Sequence, residues 1–169
     1  NQNYSWTVNK TASVNARISV NHTANEDNVF SNSTNVFNVT DLRITVPNSN
    51  TGNWKAGDTK TINWTSSAIA EVNLKYSIDG ATPGSNITGA NNLPSDANGN
   101  FSWPIPGALQ VSNNVRIYVE DATNSTINDT SDQAFSIIPN FTITTPLDDV
   151  PVVAETPYNI TWNKTGGSI

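Results

Sequence analysis

Residues 72–80 read VNLKYSIDG, and the alternation inside them decides the fold. Val72, Leu74, Tyr76 and Ile78 fall on one side of an extended chain, and Asn73, Lys75 and Ser77 on the other. That period of two marks a half-buried strand, and Asp79-Gly80 ends it with turn chemistry. Working outward, the same reading predicts strands over Leu42–Val46, Thr59–Thr65, Glu71–Ile78, Asn86–Thr88, Asn100–Ile105, Val115–Glu120 and Ala134–Ile138. Ala56-Gly57-Asp58, Pro83-Gly84, the stretch from Asp96 to Asn100 and Pro106-Gly107 supply turns between them. No segment carries a capped helical period.

The pattern recurs along the chain. YSWTV (4–8), ARISV (16–20) and NVFNV (35–39) return as FSWPI (101–105), VRIYV (115–119) and QAFSI (133–137). ITVP (44–47) with TINWT (61–65) returns as ITTP (143–146) with NITWN (159–163). The period is close to a hundred residues, which points to an array of small domains. The reading is the C-terminal half of a module over 1–41, a complete module over 42–139, and the N-terminal half of a third over 140–169. The native polypeptide is accordingly expected to continue past both ends. Seven short strands in about a hundred residues predict an all-β, immunoglobulin-like β-sandwich. The chain has no cysteine, so no disulfide can staple it. Its core is then expected from Trp64, Trp103, Ile62, Val72, Leu74, Tyr76, Ile117, Val119, Phe135 and Ile137. Trp54 is placed at the edge of that core.

Charged residues make up only 13% of the chain; its polarity comes from 27 Asn, 21 Thr and 17 Ser. A net charge of −6, with eight scattered basic residues, opposes nucleic acid or anionic membrane as a partner. No apolar run approaches the length of a membrane helix.

Asn-X-Ser/Thr sequons occur at Asn3, Asn9, Asn21, Asn32, Asn38, Asn63, Asn86, Asn100, Asn124, Asn128, Asn140, Asn159 and Asn163. Chance at this composition gives roughly six. Alternation places Asn63, Asn100, Asn140, Asn159, Asn38 and Asn3 opposite their apolar neighbours, on the solvent side of their strands. A glycan is bulky and must stay in water, so these positions accept one. An extracellular, cell-surface glycoprotein is the expectation.

The string ITVP (44–47), WKAGDTKTINWTSS (54–67), VNLKYSIDG (72–80), GNFSWPIP (99–106), VRIYVEDATN (115–124) and SDQAFSI (131–137) resembles an immunoglobulin-like repeat of secreted microbial surface proteins. That repeat is similar to the N-terminal domain of the fungal Ser/Thr-rich, GPI-anchored cell-wall family. The pieces that carry the resemblance are Trp54 with Gly57, Ile62 with Trp64, and Ser102-Trp103 with Pro106. The third copy departs from it, with Val152 and Glu155 at the first tryptophan and the turn glycine. In the first copy Asn9 stands where Pro106 does. The resemblance implies a fold and a location, and brings no catalytic motif.

Chemistry-bearing constellations are sparse. The single imidazole, His22, falls on the solvent side of its strand, and a Ser-His mechanism has nothing else to draw on. Glu120 and Asp121 are adjacent and so point to opposite faces, which disfavours a glycosidase pair; Asp129 and Asp132 read as loop residues. Asp96, Asn98 and Asn100 alternate as the first half of a calcium loop would, yet lack its later acid, and an Asx turn entering the strand is the better account of the same residues. Asp148 and Asp149 beside the counterparts of 48–53 are a second such arrangement. Lys75 and Lys60, read as outward-facing, argue against an isopeptide crosslink. No enzyme activity, cofactor or firm metal site is therefore expected.

Three roles fit. One is a structural repeat of a filament, surface layer or sheath, whose partners are copies of itself, other surface proteins and glycans. Another is an adhesin or carbohydrate-binding module, for which Trp54 and Tyr118 are the candidate exposed rings. The last is a passive spacer in a larger secreted enzyme. The short connection between successive copies, FNVTDLRITV (37–46), favours the first.

Overall fold

The computed structural model describes residues 3–9, 12–21, 30–49, 52–81, 84–95, 97–147 and 151–167. Every regular element among them is a strand. In chain order these are β1 (Ser13–Ala16), β2 (Ser19–Asn21), β3 (Phe30–Asn32), β4 (Phe37–Val39), β5 (Asp41–Val46), β6 (Asn53–Lys55), β7 (Thr59–Ser67) and β8 (Glu71–Ser77). There follow β9 (Ser85–Asn86), β10 (Leu93–Pro94), β11 (Asn98–Pro104), β12 (Ser112–Asp121), β13 (Asn128–Thr130), β14 (Phe135–Ile138), β15 (Asn140–Thr145) and β16 (Thr161–Thr165).

Two sheets enclose the core. One is antiparallel, in the order β11-β7-β5, with Phe101 opposite Ile62 and Ile44 opposite Trp64. The other runs β10-β8-β12-β14-β6, with β9 beside β8 and β13 beside β12. Its outermost pair is parallel: Trp54 on β6 lies opposite Ile137 on β14. The long β12 serves both halves of this sheet. Its start pairs with β14, and Tyr118 to Glu120 are flanked by β8 on one side and β13 on the other.

The two inner faces meet in one cluster drawn entirely from residues 42–137. Trp64 and Trp103 are fully buried, with Ile62, Val72, Leu74, Ile117, Val119, Phe135 and Ile137 around them, as the alternation predicts. Each buried aromatic takes about 150–250 Å² from water. Tyr76 is half-buried and packs on the rim of this cluster, tilted against Trp103 at 5.1 Å between ring centroids.

Four details depart from the sequence reading. Trp54 does not sit at an edge: it is 5% exposed, its ring 4.6 Å from Phe135 and edge-on to Trp103 at 6.2 Å. Tyr118 faces outward as its parity requires, yet it is buried, because Lys75 lies over its ring at 5.7 Å. Lys60 shares the inward face of β7 with Ile62 and Trp64 and lies opposite Trp103; only the strand's end position lets it reach solvent and Asp58. The strand expected over Asn86–Thr88 stops at Asn86. There the chain curls, Ile87 N–H donating to Leu74 and Ala90 N–H to Ile87, so that both side chains enter the core.

The flanks form smaller sheets: β1 pairs with β4, β2 with β3, and β15 with β16. In β15–β16, Ile143 faces Trp162 and a bulge follows before Thr145. In β5–β7, Ile44 faces Trp64 and a bulge follows before Val46. A cis proline comes next in both, Pro47 and Pro146. The counterparts of the core residues are exposed on the flanks, including Tyr4, Trp6, Ile18, Val20, Ile143, Ile160 and Trp162. No helix among the described residues is long and apolar enough to cross a membrane.

Candidate functional site

All thirteen sequon asparagines lie among the described residues. Eleven are exposed, and Asn63 and Asn140 are half-buried. The strand parity behind this is set by the core: Ile62 and Trp64 point inward on β7, and Trp103 on β11, which turns Asn63 and Asn100 out. The β7–β11 register then makes Asn63 and Asn100 direct cross-strand partners. On β15–β16 the relation is diagonal, with Asn163 opposite Thr142 and Asn140 opposite Thr165. Asn124 sits in a turn in which its Oδ1 accepts from both the N–H and the hydroxyl of Thr126, the third residue of its own sequon.

A second feature lies where the end of β16 meets the central sandwich. Thr165 Oγ1 donates to the Ala56 carbonyl at 2.6 Å. Gly166 N–H donates to Gly107 at 2.6 Å, and Gly167 N–H to Leu109 at 2.9 Å. Gly166 has φ +93°, and a Cβ there would lie 3.0 Å from Val111 and 3.1 Å from the Pro139 backbone. Only glycine meets both demands without strain. The turn after β6 and the loop after β11 thus hold the open end of the β15–β16 pair, where β16 finishes beside Asn140, through one side-chain and two main-chain bonds. The sequence gives no warning of this contact, because the match between copies reveals equivalent residues and not which of them touch.

On the outer face of the larger sheet, Lys75 Nζ stands 2.7 Å from Glu120 Oε1, with both side chains mostly buried. Burial, and then the Glu120 charge, push the Tyr118 phenol above its ordinary range; Lys75 acts the other way. This group is ion-paired and largely buried, so Tyr118 presents little of its ring to solvent. Asp129 Oδ2 accepts from Ile44 N–H at 2.8 Å, and Asp132 exchanges two hydrogen bonds with Asn48. Both carboxylates pin the start of the sandwich to the loop around β13, so they work as structural acceptors rather than as free loop acids.

Asn98 and Asn100 are ladder residues of β11, paired with Thr65 and Asn63. Asp96, the remaining calcium candidate, lies outside the described residues, as do His22, Asp148 and Asp149. Among the described residues no group of three or more His, Cys, Asp or Glu is placed to hold a metal. An apolar groove of about 640 Å³ lies on the N-terminal flank, lined by Tyr4, Trp6, Arg17, Ile18 and Val20. Its apolar residues correspond by sequence to Phe101, Trp103, Ile117 and Val119, all of which pack into the central core. No protein-family model matches the chain, and no curated protein matches it significantly.

Proposed function

We propose that this chain is a structural, non-catalytic part of an extracellular glycoprotein, in which immunoglobulin-like modules follow one another as the beads of a filament, surface layer or sheath. The observation that carries the reading is the bonded joint between the end of β16 and the loops at 56–57 and 107–111. Flexible spacers leave successive domains free. A three-bond contact, two of its bonds between main chains, next to a direct connection, Ile138-Pro139-Asn140, suits a stiff array. The parallel pairing of β6 with β14, and the matched bulges of β5–β7 and β15–β16, support the immunoglobulin-type and tandem parts of the reading. The sequon-rich surface supports the extracellular part. The groove at Tyr4 and Trp6 is better read as the inner face of another bead than as a carbohydrate platform.

Small-angle scattering on the 169-residue chain tests the stiffness. The intact joint gives one narrow distribution of maximum dimensions, and Gly166→Val broadens it while the central core stays folded by tryptophan fluorescence. An unchanged distribution in Gly166→Val would refute the joint.

A further inference from the structure

The facing pair Asn63 and Asn100 carries an inference that individual sequons do not. We propose that these two sites accept one glycan between them, never one each on the same molecule. The inference rests on the extracellular glycoprotein reading and adds a rule to it.

Two antiparallel residues directly opposite one another hold their Cβ atoms about 4.5–5.5 Å apart, pointing the same way. Both positions are fixed from within. Asn63 is set between Ile62 and Trp64, which are buried, and lies on the middle strand of its sheet, with Val46 on its other side. Asn100 is set between Gly99 and Phe101 on the outer strand, whose unbroken ladder with β7 from Asn98 to Pro104 fixes its register. Neither side chain can therefore swing away from the other by moving its strand. A branched, hydrated sugar on each would claim the volume directly above the pair. The sequon hydroxyls are held in the same ladder, with Thr65 opposite Asn98 and Ser102 opposite Thr61. Once β7 and β11 have paired, the site that stayed bare stays closed to a transferase that must engage an unpaired segment. A glycan on either asparagine thus excludes the other, before folding by making the doubly modified ladder costly and after folding by access.

The diagonal pair Asn140 and Asn163 serves as an internal contrast, since diagonal neighbours stand about 7–8 Å apart and crowd each other's sugars less.

The test is intact-protein and glycopeptide mass spectrometry of the full chain, secreted from a glycosylating eukaryotic host. The expected result is glycan on Asn63 or Asn100 with doubly modified molecules at least tenfold below the product of the two single occupancies. Replacing the more occupied asparagine by Gln should raise occupancy of the other at least twofold. Doubly modified molecules at the frequency of independent sites would overturn the proposal. So would bare asparagines at these two positions while other sequons carry glycan. Bare asparagines at all thirteen sequons would overturn the glycoprotein reading itself, an outcome distinct from the other two.

Discussion

Gly99 passes so close to Trp64 that a Cβ added to it would overlap the indole, clashing with Cε2 and Nε1. The β11 backbone is in effect the lid on the largest buried side chain of β7. The indole is anchored in turn, its Nε1–H donating to Ser95 Oγ at 3.1 Å. The ring cannot slide away without losing that bond, so the lid must stay bare.

Gly99→Ala should therefore cost about 2–3 kcal/mol, in the range of overpacked cores. Urea denaturation followed by tryptophan fluorescence measures it. A loss below about 0.5 kcal/mol would mean that β11 can lift off Trp64.

Trp64→Ala should cost about 3–5 kcal/mol, the usual range for emptying a large aromatic site. Trp54→Ala should fall within about 1 kcal/mol of it, because Trp54 contacts both Phe135 and Trp103. Its place on a three-residue strand would suggest a smaller loss. Parallel urea titrations decide between the two; a Trp54→Ala loss under about 1 kcal/mol would return that ring to the edge.

Tyr118 links stability to alkaline pH. Its phenol is raised above the ordinary tyrosine range in the folded state, chiefly by burial and then by Glu120. The unfolded chain ionises near pH 10 while the folded chain still holds the proton, so the unfolded state binds fewer protons in that window. The contribution is complete below about pH 10 and is lost as pH rises through the folded pKa. The urea midpoint should fall as pH rises past about 10, and Tyr118→Phe should make that fall shallower. Identical slopes for the two proteins would remove Tyr118 as the cause.

The segment 42–139 should fold without its flanks, since the buried cluster takes no residue from outside 42–137. Far-UV circular dichroism of the excised segment should show strand, and its thermal transition should be cooperative. A non-cooperative or helical trace would show that the flanks are needed.

The inner faces of β7, β8 and β12 were legible because long alternating runs make parity unambiguous. What escaped was whatever depends on partners distant in sequence. Three residues at 53–55 carry no period, so nothing local reveals that β6 pairs with β14 about eighty positions on. For Tyr118 the parity was right but exposure did not follow from it, because the stem of Lys75 can cover a ring on the outer face of a sheet. Lys60 has the same parity as Ile62 and Trp64, which puts it on the inward side and not on the outward one expected for it. The sequons could be found singly, whereas the facing of Asn63 and Asn100 is a matter of register, which alternation alone does not supply.

The parallel alignment of β6 with β14 also has a mechanical meaning. A pull on the two ends of the central sandwich enters near Asp41 and leaves near Ile138; once β5 has parted from β7, it draws β6 and β14 in opposite directions along their own axes. Their ladder joins Asn53, Trp54 and Lys55 to Ser136, Ile137 and Ile138, and Ala56 N–H adds a bond to the Ile138 carbonyl. Under that geometry the bonds are sheared together instead of opening one at a time. Resistance to tension then depends on the rate of rupture and not on equilibrium stability. Such a bead would hold its length under load even where its thermal stability is modest.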